Sequence, residues 1–188
     1  MKKIVTTIFL ICMMSVFLAA CSGKIDEKQQ PTTEAAPKES LSAFTANDID
    51  GNPVGAEIFE GHKLTMVNVW GTFCSPCIQE MPDLGEINRE YQEKGFQIVG
   101  IVIDAAGQDG TAYDKVVGSA KTIIGKTKAD YLHILPSPSL YKIKLGSLSG
   151  YPTTFFVNEA GDMVGETYLG AKSKEKWTRI IDALLEKV

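Results

Sequence analysis

A near-continuous apolar run, Leu64 to Val69, leads without a spacer into Trp70-Gly71-Thr72-Phe73-Cys74-Ser75-Pro76-Cys77, and a helical pattern follows at once. An apolar stretch of this length suits a strand buried on both faces, as in a parallel sheet. The pattern after it runs from about Cys74 to Lys94 and stops at Gly95, a suitable residue for the left-handed turn that ends a helix. A second apolar run, Phe96 to Ile103, completes a βαβ unit whose expected connection is right-handed. The unit restricts the chain to an α/β sandwich and puts a Cys-x-x-Cys pair on the first turn of its helix. There, unpaired backbone N–H groups and the positive end of the helix dipole favour a thiolate over a thiol. Two sulfurs so spaced can attack a disulfide, hold a mixed disulfide and resolve it between themselves.

The remaining elements fall on either side of this unit. Phe44 to Val54 reads as a small hairpin turned by Asp50-Gly51-Asn52-Pro53. Between residues 104 and 150 the pattern suggests a helix over Tyr113–Ile124, a short strand over Tyr131–Leu135 and a short helix over Ser139–Leu145. Thr153–Val157 is a strand, Asn158–Asp162 a turn, and Met163–Leu169 the returning strand. A final helix starts near Ser173. Its Trp177, Ile180, Ile181, Leu184, Leu185 and Val188 recur at three- and four-residue intervals, as a core-facing stripe does.

The N-terminus reads as a targeting segment. Lys2 and Lys3 precede an apolar stretch, Ile4 to Phe17, and Leu18-Ala19-Ala20-Cys21 ends it with small residues and a cysteine. That tetrad resembles a bacterial lipobox, which implies cleavage before Cys21 and a lipid on its sulfur. An ordinary secretory signal with an incidental cysteine is the alternative. Gly23 to about Ser40 is polar and without aromatics, the composition of a disordered tether. A flexible chain of that length has an end-to-end distance of about 20–25 Å. The expected organisation is a signal peptide over 1–20, an anchor and tether over 21–40, and one domain over 41–188. Loss of the signal leaves 17 of the 19 basic side chains against 23 acidic ones, so the net charge moves from −4 to −6. A mildly acidic surface argues against nucleic acid as a partner. Cys12 leaves with the signal and Cys21 is taken by lipid, so Cys74 and Cys77 remain as one pair in an exported domain.

Trp-Gly-Thr-Phe-Cys-Ser-Pro-Cys, the Ile-Gln-Glu-Met-Pro that follows, and the downstream Gly-Tyr-Pro-Thr-Thr-Phe-Phe-Val resemble the TlpA/ResA group of membrane-anchored thioredoxins. The resemblance covers residues 41–188. It implies a thioredoxin-like three-layer sandwich with an N-terminal β-hairpin extension and an insert between the βαβ and ββα halves. It further implies a protein thiol–disulfide oxidoreductase with Cys74 as the exposed nucleophile and Cys77 as the more buried resolving cysteine. No cofactor beyond this dithiol is expected. Implied partners are exported proteins with disulfides, such as apocytochrome c or surface methionine sulfoxide reductases and peroxidases. A membrane electron carrier of the CcdA/DsbD type would restore the dithiol, and the domain is expected to be a monomer held at the membrane by its lipid.

Three further positions bear on the site. Helical geometry puts Glu80 on the apolar side of its helix with Cys77, Met81, Leu84 and Tyr91, while Gln79, Glu86, Arg89 and Glu90 face away. A carboxyl there is poorly solvated, with a raised pKa, and could exchange a proton with the buried thiol. A surface charge at the edge of the core fits the pattern equally well. The resemblance favours the functional reading, because the group is similar in carrying a functional Glu at this offset. The buried Asp of thioredoxin corresponds to Asn68, which cannot titrate. Pro152, directly before a strand, cannot sit comfortably within a ladder, and a cis bond after Tyr151 would turn the chain there. The resemblance implies a cis proline against the cysteines, with the backbone of Tyr151 pairing with an extended substrate. Trp70 and Phe73 are expected to be packing and rim residues around the sulfurs, since aromatics so placed are usually core first. Asp104 reads as a turn former and His133 as a core-edge histidine.

Two rival chemistries differ in class. A copper-handling factor of the SCO type would use Cys-x-x-x-Cys and a distant histidine, one residue more than the spacing here. A thiol peroxidase would use Thr-x-x-Cys, whereas Thr72 lies two residues from Cys74 and five from Cys77. Zinc would need two further ligands, and a permanent structural disulfide is the plain alternative. The gap of 75 positions from Cys77 to Pro152 exceeds what a minimal thioredoxin needs, and it reads as a surface for partner selection.

Overall fold

A computed structural model of the chain describes residues 39–188. The expected signal segment, Cys21 with its expected lipid, and all but the last two residues of the expected tether lie outside the described residues. Glu39 and Ser40, assigned above to the tether, already belong to the folded part. The Glu39 carbonyl accepts from the Met163 N–H at 3.3 Å, and Ser40 pairs with Asp162.

A small hairpin, β1 (Thr45–Asn47) and β2 (Pro53–Gly55), precedes the sheet. The helix–strand unit is β3 (Leu64–Trp70), α1 (Ser75–Tyr91) and β4 (Phe96–Val102). A turn of 3₁₀ helix, Gln92–Lys94, follows α1 and ends at Gly95, whose φ of 77° is the left-handed conformation glycine adopts readily. The middle of the chain forms α2 (Asp114–Thr127), β5 (Leu132–Ile134) and α3 (Pro138–Ile143). β6 (Thr153–Val157), β7 (Met163–Leu169) and α4 (Lys174–Leu185) complete the domain.

The five-stranded sheet has the order β5-β4-β3-β6-β7. β3, β4 and β5 run parallel, while β6 and β7 are antiparallel to their neighbours. Alternation along the strands divides the core into two layers. Leu64, Met66 and Trp70 of β3, Phe96, Ile98 and Val102 of β4, and Phe156 of β6 pack with α1, α2 and α4. Val67, Val69, Val99, Ile101, Phe155 and Val157 face the opposite way, onto Leu140 of α3, Leu145, Phe44 and Phe59. Helices therefore cover both faces, the three-layer arrangement of a thioredoxin-like fold.

The insert between the two halves holds the helix, strand and short helix expected of it, and it is built into the domain: β5 extends the parallel sheet and Ala120 of α2 is buried in the α1 layer. The hairpin covers the free edge of β5: the Ile49 N–H donates to the His133 carbonyl and the Leu135 N–H to Asn47. One detail departs from the sequence reading: the apolar stripe of the last helix ends earlier than its spacing suggests. Trp177, Ile181 and Leu184 are buried, but the helix stops at Leu185 and Val188 is exposed.

Candidate active site

The C-terminal end of β3 delivers the cysteines. Cys74 sits at the N-cap of α1, its carbonyl accepting the Ile78 N–H at 3.1 Å and its own N–H donating to Gly71. Pro76 lies in the first turn, where a missing N–H costs no intrahelical bond. No carboxylate occupies that turn, so nothing there opposes the positive end of the dipole. Cys74 and Cys77 are joined in a disulfide, with Cα atoms 5.3 Å apart.

Cys74 is 6% exposed and Cys77 fully buried. The order of accessibility follows the expectation, but Cys74 is not an exposed residue: bonded to Cys77, it packs into the same core layer as Trp70 and Met81. The exposed member of the motif is Phe73, at 67%, whose ring meets Tyr151 edge to face at 6.1 Å. Trp70 is the packing residue of the two: it is fully buried, and its Nε1 donates to His133 Nδ1 at 3.2 Å. His133 Nε2 in turn donates to the Ala129 carbonyl at 3.0 Å, so both ring nitrogens are engaged and the ring is neutral. Burial lowers the His133 pKa to about 4. Asp104 accepts from the N–H and hydroxyl of Thr72, which fastens the loop leading into Cys74.

Glu80 lies three residues after Cys77 on α1, the spacing of neighbours on one helix face, about 5–6 Å between Cβ atoms. It is 4% exposed. Its Oε1 accepts from Asn68 Nδ2 at 3.0 Å. Its Oε2 accepts from the backbone N–H of Lys172 at 3.1 Å and from Trp177 Nε1 at 3.3 Å. Burial raises the Glu80 pKa, and these three hydrogen bonds with the nearby Lys172 ammonium only partly oppose it. Lys172 Nζ bonds the carbonyls of Leu169 and Gly170 and stands over the rings of Tyr168 and Trp177. The pKa of the buried Tyr131 hydroxyl is raised by burial and also by the charge of Glu80.

The second half of the site is the Tyr151–Pro152 peptide bond, which is cis. The Pro152 carbonyl accepts from the Gly170 N–H at 2.8 Å. The backbone N–H and carbonyl of Tyr151 have no backbone partner among the described residues. Its ring packs against the core layer that contains both cysteines.

The family model of redoxin matches residues 31–184. The thiol–disulfide oxidoreductase ResA of Oceanobacillus iheyensis is 33% identical over 144 residues, which span 74% of this chain and 73% of that protein. The chain belongs to the redoxin family, among its ResA-like thiol–disulfide oxidoreductases. ResA of Geobacillus kaustophilus is 23% identical over 179 residues, covering 95% of this chain and 93% of the relative. Among solved structures, a thioredoxin-family thiol:disulfide interchange protein from Chlorobium tepidum has a TM-score of 0.64 at 23% identity, covering 80% of this chain and 99% of that one. At that identity the likeness speaks for the fold.

In this redoxin, Cys74, Cys77, Phe73, Tyr151 and Pro152 lie at one end of the sheet, and Glu80 is enclosed behind them. Thr154, Lys172 and Trp177, which complete the surroundings of Glu80, carry no signal of that role in the sequence. Trp177 reads as a core residue of its helix, and Lys172 acts through its backbone.

Proposed function

We propose that this redoxin reduces disulfides in exported proteins from a position outside the cytoplasmic membrane, tethered by a lipid on Cys21. Cys74 attacks the partner disulfide and forms a mixed disulfide, releasing one partner thiol. Cys77 gives its proton to the Glu80 carboxylate, and its thiolate attacks Cys74 to form the intramolecular disulfide. The second partner sulfur leaves and takes up a proton. Two electrons pass from the dithiol to the partner, with two protons to balance them.

The observation that carries this reading is the placement of a buried carboxyl one turn from a fully buried sulfur. A buried thiol cannot readily lose its proton to water, and Glu80 is a base of raised proton affinity within the same layer. The backbone of Tyr151, without a backbone partner among the described residues, favours an extended partner chain that adds as a strand. Apocytochrome c and surface methionine sulfoxide reductases or peroxidases are the candidate partners. A membrane carrier of the CcdA/DsbD type returns the enzyme to the dithiol form, and the domain works as a monomer.

The test is capture in cells. Cys77→Ala should hold exported proteins on Cys74 as mixed disulfides that dissolve in reductant. A folded variant that captures none would contradict the proposal. The direction depends on the potential: equilibration with glutathione should give a reducing value, whereas a value near that of strong oxidants, about −120 mV, would reverse it.

A further inference from the structure

Asn68 and Thr154 face each other across β3 and β6, in register and on the side of the sheet that packs against α1. Asn68 Nδ2 stands 3.0 Å from Glu80 Oε1 and 3.0 Å from Thr154 Oγ1, so both of its hydrogens are used. Asn68 Oδ1 is buried without a hydrogen-bond partner among the described residues. The amide is thus held at one end only.

The donors around Glu80 decide where a proton can go. The Lys172 N–H and the Trp177 indole N–H donate only, and both bond Oε2. A proton arriving on Glu80 therefore goes to Oε1, which keeps one lone pair beside its bond from Asn68. Once protonated, Oε1 accepts from Asn68 more weakly than a carboxylate oxygen does, and its hydrogen, turned toward Asn68, would confront the amine inside the core. Of the groups bonded to Glu80, only Asn68 can change from donor to acceptor, by turning its carboxamide over. Oδ1 would then lie between the Glu80 hydroxyl and the Thr154 hydroxyl and could accept from both. Thr154 can reverse as well, because a hydroxyl donates or accepts.

We propose that Asn68, with Thr154 beside it, is a two-position toggle that hydrogen-bonds Glu80 in both of its protonation states. Asn68 donates to the carboxylate before Cys77 deprotonates and accepts from the acid afterwards. The inference rests on the reading of Glu80 as the proton acceptor of Cys77. The step moves one proton from Cys77 Sγ to Glu80 Oε1 and no electrons. Asn68 is a positioning residue, since it acts through Glu80. The other titratable groups around Glu80 are Lys172 from the loop before α4, Tyr131 ahead of β5, and Cys77 itself. Among the described residues none of these three is hydrogen-bonded to Oε1, whose partner is Asn68.

NMR of the reduced, isotope-labelled full-length domain tests the toggle directly. As Glu80 Cδ titrates, nuclear Overhauser contacts from the Asn68 Nδ2 hydrogens to the Thr154 side chain should disappear on the acid side. If Glu80 titrates and those contacts persist, the toggle is wrong while the role of Glu80 stands. If Glu80 does not titrate at all, both fail. Asn68→Leu removes a partner of the acid as well as of the carboxylate, so the pH inflection of the resolving step should stay within about half a unit. A rise of about one unit, a tenfold change in proton affinity, would mean a fixed donor to the carboxylate alone and would overturn the toggle.

Discussion

The main-chain N–H of Lys172 donates to Glu80 Oε2 at 3.1 Å, tying the loop before the last helix to the helix that carries the cysteines. Because the donor is backbone, this bond does not depend on the lysine side chain. It holds a carboxylate in the core at the point where burial most disfavours its charge.

That conflict predicts a pH dependence of stability. The folded-state pKa of Glu80 is raised above the ordinary value of about 4.3, so the folded protein binds the proton more tightly than the unfolded chain. Unfolding free energy should fall as pH rises through the window that opens near 4.3, at up to about 1.4 kcal/mol per pH unit. Glu80→Gln should lack this slope, since its amide oxygen can still accept from Lys172 and Trp177. Urea titrations of both proteins between pH 4 and 8 check it, and parallel curves would contradict it.

His133 has the opposite sign. Its pKa is lowered to about 4 by burial, against about 6.5 in an unfolded chain. The stability held with the ring neutral is fully present above pH 6.5 and is lost as pH falls toward 4, on the order of 3 kcal/mol in all. An imidazole titration followed by NMR should show no protonation of His133 near pH 6. A midpoint there would refute the buried, neutral ring.

Gly100 stands in register between Asn68 and His133. A Cβ at this position would run into His133 Nδ1 and lie 3.1 Å from Trp70 Nε1. Gly100→Ala should therefore destabilise the domain by about 1–3 kcal/mol, as overpacking of a core does. Chemical denaturation measures this, and a loss under about 0.5 kcal/mol would show that the Trp70–His133 pair yields more easily than its bonds suggest.

Much of the site was legible because its signals are local. Cys74 and Cys77 share a helical turn, Glu80 follows on the same face, and Pro152 adjoins its strand. The partners of Glu80 were not legible, since Lys172 and Trp177 lie 92 and 97 positions away and meet it only through packing. The division of Trp70 to the core and Phe73 to the rim was not legible for a similar reason. The partner of Trp70, His133, comes from the middle of the chain, where periodicity is weak and β5 has only three residues.

The middle segment also needs a gentler test than removal. Residues of α2, Val116, Val117, Ile123 and Ile124, pack against the core, so deletion of Gly107–Lys128 would damage the fold itself. Tyr113, at the head of α2, is half exposed and lies near Tyr141, as Tyr151 does. Tyr113→Ala should leave stability within about 0.5 kcal/mol, as exposed substitutions do. Combined with Cys77→Ala, it should change which proteins are captured. An unchanged set would remove this segment from partner choice.

Proton transfer from Cys77 to Glu80 is tested most directly by the rate at which a preformed mixed disulfide on Cys74 resolves. Rapid acid quench from pH 5 to 9, in the unmodified protein and in Glu80→Gln, gives that rate. The variant should resolve about 100-fold more slowly at neutral pH, the usual size of a lost general base, and should lose the inflection that Glu80 imposes. Rates within twofold of each other, with the same inflection, would show that Cys77 gives up its proton without Glu80.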